Sequence, residues 1–232
     1  MRSLSALLIA ISAIVASGFA QSRYPKISIQ AASPGKDALK PVEQNGKWGF
    51  ENSAGNLVIP PKYFAALPFN DGYALVVTRK PWKPLGDEVG EFRLAQVTWI
   101  DSSGREIRRA LSVRRAWSFS DGLAAVVPDV VMRIKAGCAK GGYIDTKGRW
   151  AIKAQFDGVT NFSEGLASVN LGANCGMGGK WGYIDIHGNI VIPFRFLSSG
   201  EFHDGRACVL NQQEKWEVID RSGNAVSNEK CN

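Results

Sequence analysis

The sequence predicts an all-β fold of tandem three-stranded antiparallel meanders, stacked as a twisted solenoid or a partly closed, propeller-like array. Three observations support this prediction. A glycine-centred pattern recurs five times, at spacings of 49, 44, 40 and 35 residues. Each copy contains short runs of β-forming residues separated by polar turns. A unit of this size cannot bury its apolar face alone, so neighbouring units must stack.

The fourth copy, which runs from Gly188 to Val209, shows the pattern most clearly. Phe196 and Phe202 follow its first glycine at offsets of eight and fourteen residues, and Gly205 follows at seventeen. The equivalent aromatic residues of the other copies are Tyr63, Phe69, Phe119, Phe156 and Phe162. Burial of each ring contributes about 1.5–3 kcal/mol, so we expect these residues to form a periodic core.

A tight turn begins each copy, with Asp or Asn at its first position and Gly three residues later. The Asp or Asn side chain accepts a hydrogen bond from the backbone two residues on, and Gly supplies a positive φ. The five turns begin and end at Asn52 and Gly55, Asp101 and Gly104, Asp145 and Gly148, Asp185 and Gly188, and Asp220 and Gly223. Calcium binding is the alternative interpretation, but one acid per copy does not supply the six to eight converging oxygens that calcium needs.

These motifs resemble the bacterial WG-repeat family. The resemblance rests on the pattern Trp-Gly-Tyr-Ile-Asp-x-x-Gly-x-x-Val-Ile-Pro, followed by Phe-x-x-Gly-Leu-Ala-x-Val. The fourth copy matches this pattern best. The third copy departs from it with Gly141 in place of Trp, and the second has Arg108 and Arg109 in place of Ile-Pro. The resemblance implies a repeat scaffold and carries no catalytic residues over to this chain.

The repeats divide the chain into a short leader, an N-terminal segment, the array and a tail. The predicted boundaries are residues 1–20 for a signal peptide, 21–46 for a segment that supplies the first strand, 47–76, 98–126, 142–169, 181–209 and 216–226 for the repeats, and 227–232 for the tail. Helix content should be very low.

The leader has the layout of a secretory signal peptide. Arg2 precedes an uncharged apolar run from Leu4 to Ala20, and Gly18 and Ala20 place small residues at the −3 and −1 positions of a cleavage site. An uncleaved anchor is the alternative, but the run is short of the ~20 residues that span a bilayer. We therefore expect a secreted or periplasmic protein with no transmembrane segment after cleavage.

Export changes how the four cysteines are interpreted. An even number of cysteines in an oxidising compartment predicts two disulfides. Cys138 and Cys175 occupy equivalent loops of consecutive copies, and Cys231 can tie the truncated fifth copy back to Cys208, so we predict these two pairs. Metal binding is less favoured because the chain has no Cys-x-x-Cys and two histidines. No metal or other cofactor is expected.

Two regions are candidates for binding. The segment from Arg105 to Arg115 contains one acid and five arginines, which are Arg105, Arg108, Arg109, Arg114 and Arg115. Such a cluster can bind an acidic partner, and a solvated loop is the alternative. Trp82 lies between prolines and lysines in an insertion outside the repeats. It is either an exposed contact residue or a side chain that folds back over the neighbouring unit.

The chain lacks the common catalytic motifs, including Gly-x-Ser-x-Gly, His-Glu-x-x-His, the P-loop and the dinucleotide fingerprint. The formal net charge of +7 favours an acidic partner, while nucleic acid is not expected for an exported protein. The main hypothesis is a secreted or periplasmic non-enzymatic scaffold that binds a protein or an anionic envelope polymer. The alternatives are a purely structural envelope component, and an envelope or glycan hydrolase with a loop-borne acid pair such as Glu88 and Glu91.

Overall fold

The computed structural model describes residues 39–79, 95–108, 110–129, 139–174, 177–227 and 230–231. Within these ranges the chain forms β-strands joined by turns, without a helix, and the predicted all-β fold class is confirmed. Several predictions concern residues outside these ranges, namely the signal peptide (residues 1–20), Trp82, Glu88, Glu91, Arg109, Cys138 and Cys175.

Five structural units follow one another along the chain. The first unit contains β1 (Lys40–Gln44), β2 (Lys47–Glu51) and β3 (Leu57–Tyr63), and the second contains β4 (Ala65–Ala66), β5 (Tyr73–Arg79) and β6 (Ala95–Asp101). A single strand, β7 (Leu111–Ala116), pairs with β6 on one side and with the third unit on the other.

The remaining three units repeat the same order. The third contains β8 (Leu123–Pro128), β9 (Gly141–Asp145) and β10 (Trp150–Phe156); the fourth contains β11 (Gly158–Val159), β12 (Leu166–Asn174), β13 (Met177–Asp185) and β14 (Ile190–Phe196); the fifth contains β15 (Ser198–Ser199), β16 (Arg206–Leu210) and β17 (Trp216–Asp220). The short strands β4, β11 and β15 were not predicted by the sequence pattern, which indicates three strands per unit.

Every pairing is antiparallel and joins strands that are consecutive in the chain, as a meander requires. The strands form sheets of three, seven, four and three members, and the seven-stranded sheet arises because β7 joins the second and third units. Within the described ranges, no pairing links the strands of the first unit to those of the fifth. The array is therefore open, and the sheets are held together by packing between consecutive units.

Each of the four junctions between units, which we call seams, contains its own apolar core. An aromatic side chain from the central strand of one unit packs against the phenylalanine of the next. The pairs and their ring-centroid distances are Phe50 and Phe69 at 4.9 Å, Trp99 and Phe119 at 5.9 Å, Tyr143 and Phe162 at 4.8 Å, and Tyr183 and Phe202 at 5.0 Å. These edge-on contacts are a favoured geometry for aromatic pairs, and they form the periodic core expected from the sequence.

Three of these aromatic residues also donate a hydrogen bond to the backbone of the next unit. Trp99 Nε1 donates a hydrogen bond to the carbonyl oxygen of Trp117 at 2.9 Å, and Tyr183 Oη donates to Gly200 at 2.8 Å. Tyr143 Oη makes the equivalent bond to Thr160 at 2.9 Å. A buried hydroxyl or indole N–H needs such a partner, so each bond fixes the orientation of a ring as well as the spacing of two units.

Candidate functional site

The five Asp or Asn turns lie at one edge of the array, which we call the turn edge. In the third unit, Asp145 Oδ1 accepts hydrogen bonds from the backbone N–H groups of Lys147 and Arg149, both at 2.9 Å. Gly148 closes the turn with φ of 72°. Asn52 makes the same two bonds with a neutral oxygen, at 3.1 and 2.9 Å. The side-chain oxygen at this position therefore satisfies the backbone of the turn.

The hydrogen bonds of the turns also stabilise the ionised acids. The Ser103 hydroxyl lowers the pKa of Asp101, and the backbone N–H of Asn224 lowers the pKa of Asp220. Burial raises the pKa of Asp145 and Asp185, but hydrogen bonds from the residues that follow them outweigh it, and the net shift is downward. Among the described residues, no group of three or more acidic, histidine or cysteine side chains is arranged to hold a metal ion.

The turn glycines of the second to fifth units pack on the preceding unit. A Cβ atom added to Gly104 would lie 3.5 Å from Ile59, and one added to Gly188 would lie 3.4 Å from Ile152. At Gly223 the same atom would lie 2.9 Å from Ile192, which is closer than real Cβ contacts. The approach of two units thus requires glycine at position 223, and the positive φ favours glycine at all three positions.

A second row of contacts, which we call the acid ladder, links the loops that precede β5, β8, β12 and β16. Asp71 accepts a hydrogen bond from the backbone N–H of Gly122 at 2.9 Å, Asp121 accepts one from Gly165 at 2.6 Å, and Glu164 accepts one from Gly205 at 2.9 Å. The sequence shows an acid before each of these glycines, and that recurrence is the signal that could have predicted the ladder.

Glu201 occupies a loop position that varies among the copies. The equivalent residues, each directly before the core phenylalanine, are Pro68, Ser118 and Asn161. Burial raises the pKa of Glu201, while the neighbouring His203 and a hydrogen bond from the Asn161 backbone N–H partly oppose the shift. Asn161 Oδ1 is buried nearby without a partner. Sequence reasoning missed this carboxylate, although an acid at a position where the other copies have none was visible.

Three segments of the chain match the model of the WG containing repeat. They are residues 48–82, 142–175 and 181–216. No curated protein matches the chain by sequence.

Several solved structures resemble the chain at low sequence identity. A structure described as the eukaryotic initiation factor has a TM-score of 0.48 at 12% identity, over 89% of this chain and 57% of that one. HIRA(644-1017) has a TM-score of 0.41 at 11% identity, over 70% and 52%. BamB from Moraxella catarrhalis has a TM-score of 0.36 at 12% identity, over 84% and 73%. The chain thus spans between half and three fifths of the length of the first two.

The second copy is not among the matched WG containing repeats, and Arg108 is its main departure. Arg108 takes the seam position of Ile59, Ile152 and Ile192. Its side chain lies against Gly148, and its Nη1 donates a hydrogen bond to the Gly148 carbonyl oxygen at 2.8 Å. Burial lowers the pKa of Arg108, and its Nε has no partner. This side chain therefore builds a seam, and the binding role expected for Arg108 stays a prediction.

The other described arginines of the segment differ in their exposure and contacts. Arg105 is 82% exposed and pairs with Asp101 at 3.1 Å. Arg114 is 27% exposed and lies 3.6 Å from Asp129. Arg115 is exposed, on the opposite side of β7 from Val113 and Ala116 by its burial pattern. Of the five predicted arginines, Arg105 and Arg115 are thus the described ones that reach solvent most fully.

A disulfide joins Cys208 to Cys231, whose Cα atoms lie 5.6 Å apart, and this is the pair expected from the sequence. It ties the tail to β16 of the last WG containing repeat unit. The expected pair Cys138 and Cys175 lies outside the described residues and stays a prediction. No helix within the described ranges is long and apolar enough to cross a bilayer.

Proposed function

We propose that this protein is an exported, non-enzymatic repeat scaffold that binds a protein or an anionic envelope polymer. One observation carries the proposal: the acidic and amide side chains that recur from copy to copy make their hydrogen bonds within the array. The turn acids bind backbone N–H groups, and the acids of the ladder bind the next unit. The recurrent residues therefore build a surface, and the residues that differ between units are free to select a partner.

Two features support export. The apolar run from Leu4 to Ala20 has the layout of a cleaved leader. The disulfide between Cys208 and Cys231 is typical of proteins that fold in an oxidising compartment. Fractionation of the native host, followed by determination of the N-terminal residue, tests this part. A chain found in the cytosol with Met1 intact would contradict it.

Binding to an acidic partner is tested with a variant that keeps the seam residue Arg108. Arg105→Ser combined with Arg115→Ser removes two exposed charges and leaves Arg108 in place. We expect the wild-type protein to bind immobilised polyglutamate and to capture a component of the native envelope fraction, and the double variant to lose both. Binding should weaken as salt rises, because exposed charges are screened beyond about 8 Å at physiological ionic strength.

The matched control is Lys147→Ser, which removes one exposed cation from the turn edge of another unit. It should bind as the wild type does. Equal binding by the double variant, or binding that is insensitive to salt, would remove Arg105 and Arg115 from the proposed surface. Release of fragments from cell-wall or glycan material, lost on Glu88→Gln or Glu91→Gln, would contradict the non-enzymatic part.

A further inference from the structure

The strands that end three of the units expose large apolar side chains at the same two positions. Leu57 and Val58 begin β3 with 43% and 45% of their surface exposed, Trp150 begins β10 with 39%, and Ile190 and Val191 begin β14 with 59% and 41%. We call these five side chains the apolar row. They account for most of the large apolar side chains that the described part of the chain exposes.

The fold does not require apolar residues at these positions. The burial pattern of β3, β10 and β14 is the same, with both first positions exposed in each strand. The second copy places an exposed glutamate, Glu106, at the first of these positions, and the array continues through it. Large apolar side chains that packing does not need, at equivalent exposed places, indicate a binding surface.

The row follows the turn edge. The first residue of each of these strands lies two positions before the isoleucine of the seam, which is Ile59, Ile152 or Ile192. Each of these isoleucines contacts the turn glycine of the next unit. Since the seams stack the units in order, the apolar row lies along the same side of the array as the turns.

The charges of these strands are of one sign. Lys62 and Lys153 are exposed on β3 and β10, Arg195 on β14 is exposed but donates a hydrogen bond to the Gly223 carbonyl oxygen of the next unit, and none of the three strands contains an acid. The acids of the adjacent turns accept backbone hydrogen bonds, and Asp145 is also paired with Arg149 at 2.8 Å. A partner that fits this edge therefore combines an apolar phase with negative charge.

The edges of these strands are poorly suited to pairing with a partner strand. β3, β10 and β14 are the last strands of their sheets. Pro60 and Pro193 follow the buried isoleucine on β3 and β14, and Lys153 takes that place on β10. Proline and lysine on edge strands prevent the addition of another strand, so contact through side chains is favoured.

We propose that the apolar row, with its flanking cations, docks this protein on the surface of an anionic lipid bilayer. The inference goes beyond the proposed function and does not depend on it. Trp150 suits the interface between headgroups and acyl chains, and the isoleucine, leucine and valine side chains insert at the acyl boundary. Lys62 and Lys153 attract anionic headgroups, at about 1 kcal/mol per cation near the surface.

The experiment is cosedimentation of the full chain with vesicles of phosphatidylcholine, with and without phosphatidylglycerol. We expect binding to the vesicles that contain phosphatidylglycerol, weaker binding to the neutral ones, and a decrease with salt. Ile190→Ser combined with Val191→Ser should weaken partitioning about tenfold or more, since each buried methylene contributes about 0.8 kcal/mol. Lys62→Gln combined with Lys153→Gln should reduce the preference for phosphatidylglycerol.

Met177→Ser is the matched control, because Met177 is 77% exposed and lies on β13, outside the row. All variants carry the same N-terminus, so any contribution of Leu4 to Ala20 cancels. The proposal is overturned if wild type and the Ile190 and Val191 variant bind vesicles equally, or if Met177→Ser weakens binding as much. It is also overturned if the row variants convert an oligomer to a monomer without changing vesicle binding, since the row would then contact a second copy.

Discussion

Arg108 replaces an isoleucine in the seam between the second and third units, and its guanidinium donates to the carbonyl oxygen of Gly148 at 2.8 Å. The other seams pack an isoleucine on the same glycine position. Thr98 fixes the backbone of this residue, since its hydroxyl donates a hydrogen bond to the Arg108 carbonyl oxygen at 2.9 Å. A charged side chain in this place holds two units together by packing and by one hydrogen bond.

Shortening this side chain should destabilise the fold. We expect Arg108→Ser to lower the free energy of unfolding by about 1–3 kcal/mol, because it removes seam packing and leaves the Gly148 carbonyl without its partner. Arg108→Ile restores the residue of the other seams and removes a partly buried charge, so it should be at least as stable as the wild type. Urea denaturation measures both, with exposed Lys147→Ser as the control. A serine variant as stable as that control would show that Arg108 contributes nothing to the seam.

The acid ladder offers an internal comparison of two aspartates with the same backbone conformation. Asp121 and Asp204 have φ of 52° and 51°, but Asp121 bonds Gly165 of the next unit, whereas Asp204 lies in the fifth of the described units. Alanine at either position incurs the same cost of a left-handed conformation. Asp121→Ala additionally loses the bond to Gly165, so we expect it to be about 1 kcal/mol more destabilising than Asp204→Ala. Equal melting temperatures of the two variants would show that the ladder does not stabilise the array.

The repeated parts of the fold could be predicted from the sequence because repetition reveals them. Asp185 and Gly188 have the spacing of a hydrogen-bonded turn, and Phe202 recurs at a fixed offset from the glycine. Asp185 and Gly188 act through contacts within their own turn, and Phe202 packs on Tyr183, a recurrent residue of the preceding unit. The pattern therefore contains the information on the turns, the core and the stacking of units.

The parts that were missed depend on single residues and on which unit lies beside which. Arg108 stands out in the sequence as one of five arginines, and its burial follows from the seam position that it takes from isoleucine. Glu201 becomes half-buried beside the loop of the preceding unit, where the Asn161 backbone N–H donates to it. Strand β7 joins two units into one sheet. The extra residue of the second copy indicates that this copy is irregular, but it does not specify which strands β7 pairs with.

The turn acids make the stability depend on pH in the acidic range. The folded pKa values of Asp101, Asp145, Asp185 and Asp220 are lowered, so the folded state binds fewer protons than the unfolded state. Their contribution is fully present above the ordinary pKa of about 4 and is lost as pH falls through the lowered values. Asp145→Asn, which copies Asn52, should make acid unfolding less steep. An unchanged pH dependence in urea titrations would contradict this assignment.

Glu201 should act in the opposite direction. Its folded pKa is raised, so the folded state favours the protonated acid, and its contribution to stability falls as pH rises from the ordinary value through the raised one. Glu201→Gln keeps the shape without the charge. It should therefore raise the melting temperature at neutral pH and have little effect at a pH below about 4. The exposed Glu106→Gln is the control, and a stabilisation by Glu201→Gln that is independent of pH would refute burial of the charge as the cause.

The disulfide between Cys208 and Cys231 fastens the C-terminal tail to the fifth unit of the array. Cys208 and Cys231 are 23 residues apart, and their link restricts the unfolded chain, so Cys231→Ser should cost about 2–4 kcal/mol. The Cys208→Ser, Cys231→Ser double variant should cost no more than Cys231→Ser, since both remove the same bond. Peptide mapping without reduction should find Cys208 joined to Cys231 and Cys138 joined to Cys175. A peptide that joins Cys138 to Cys208 or Cys231 would contradict both pairs, together with the stacking of equivalent loops on which the second pair is argued.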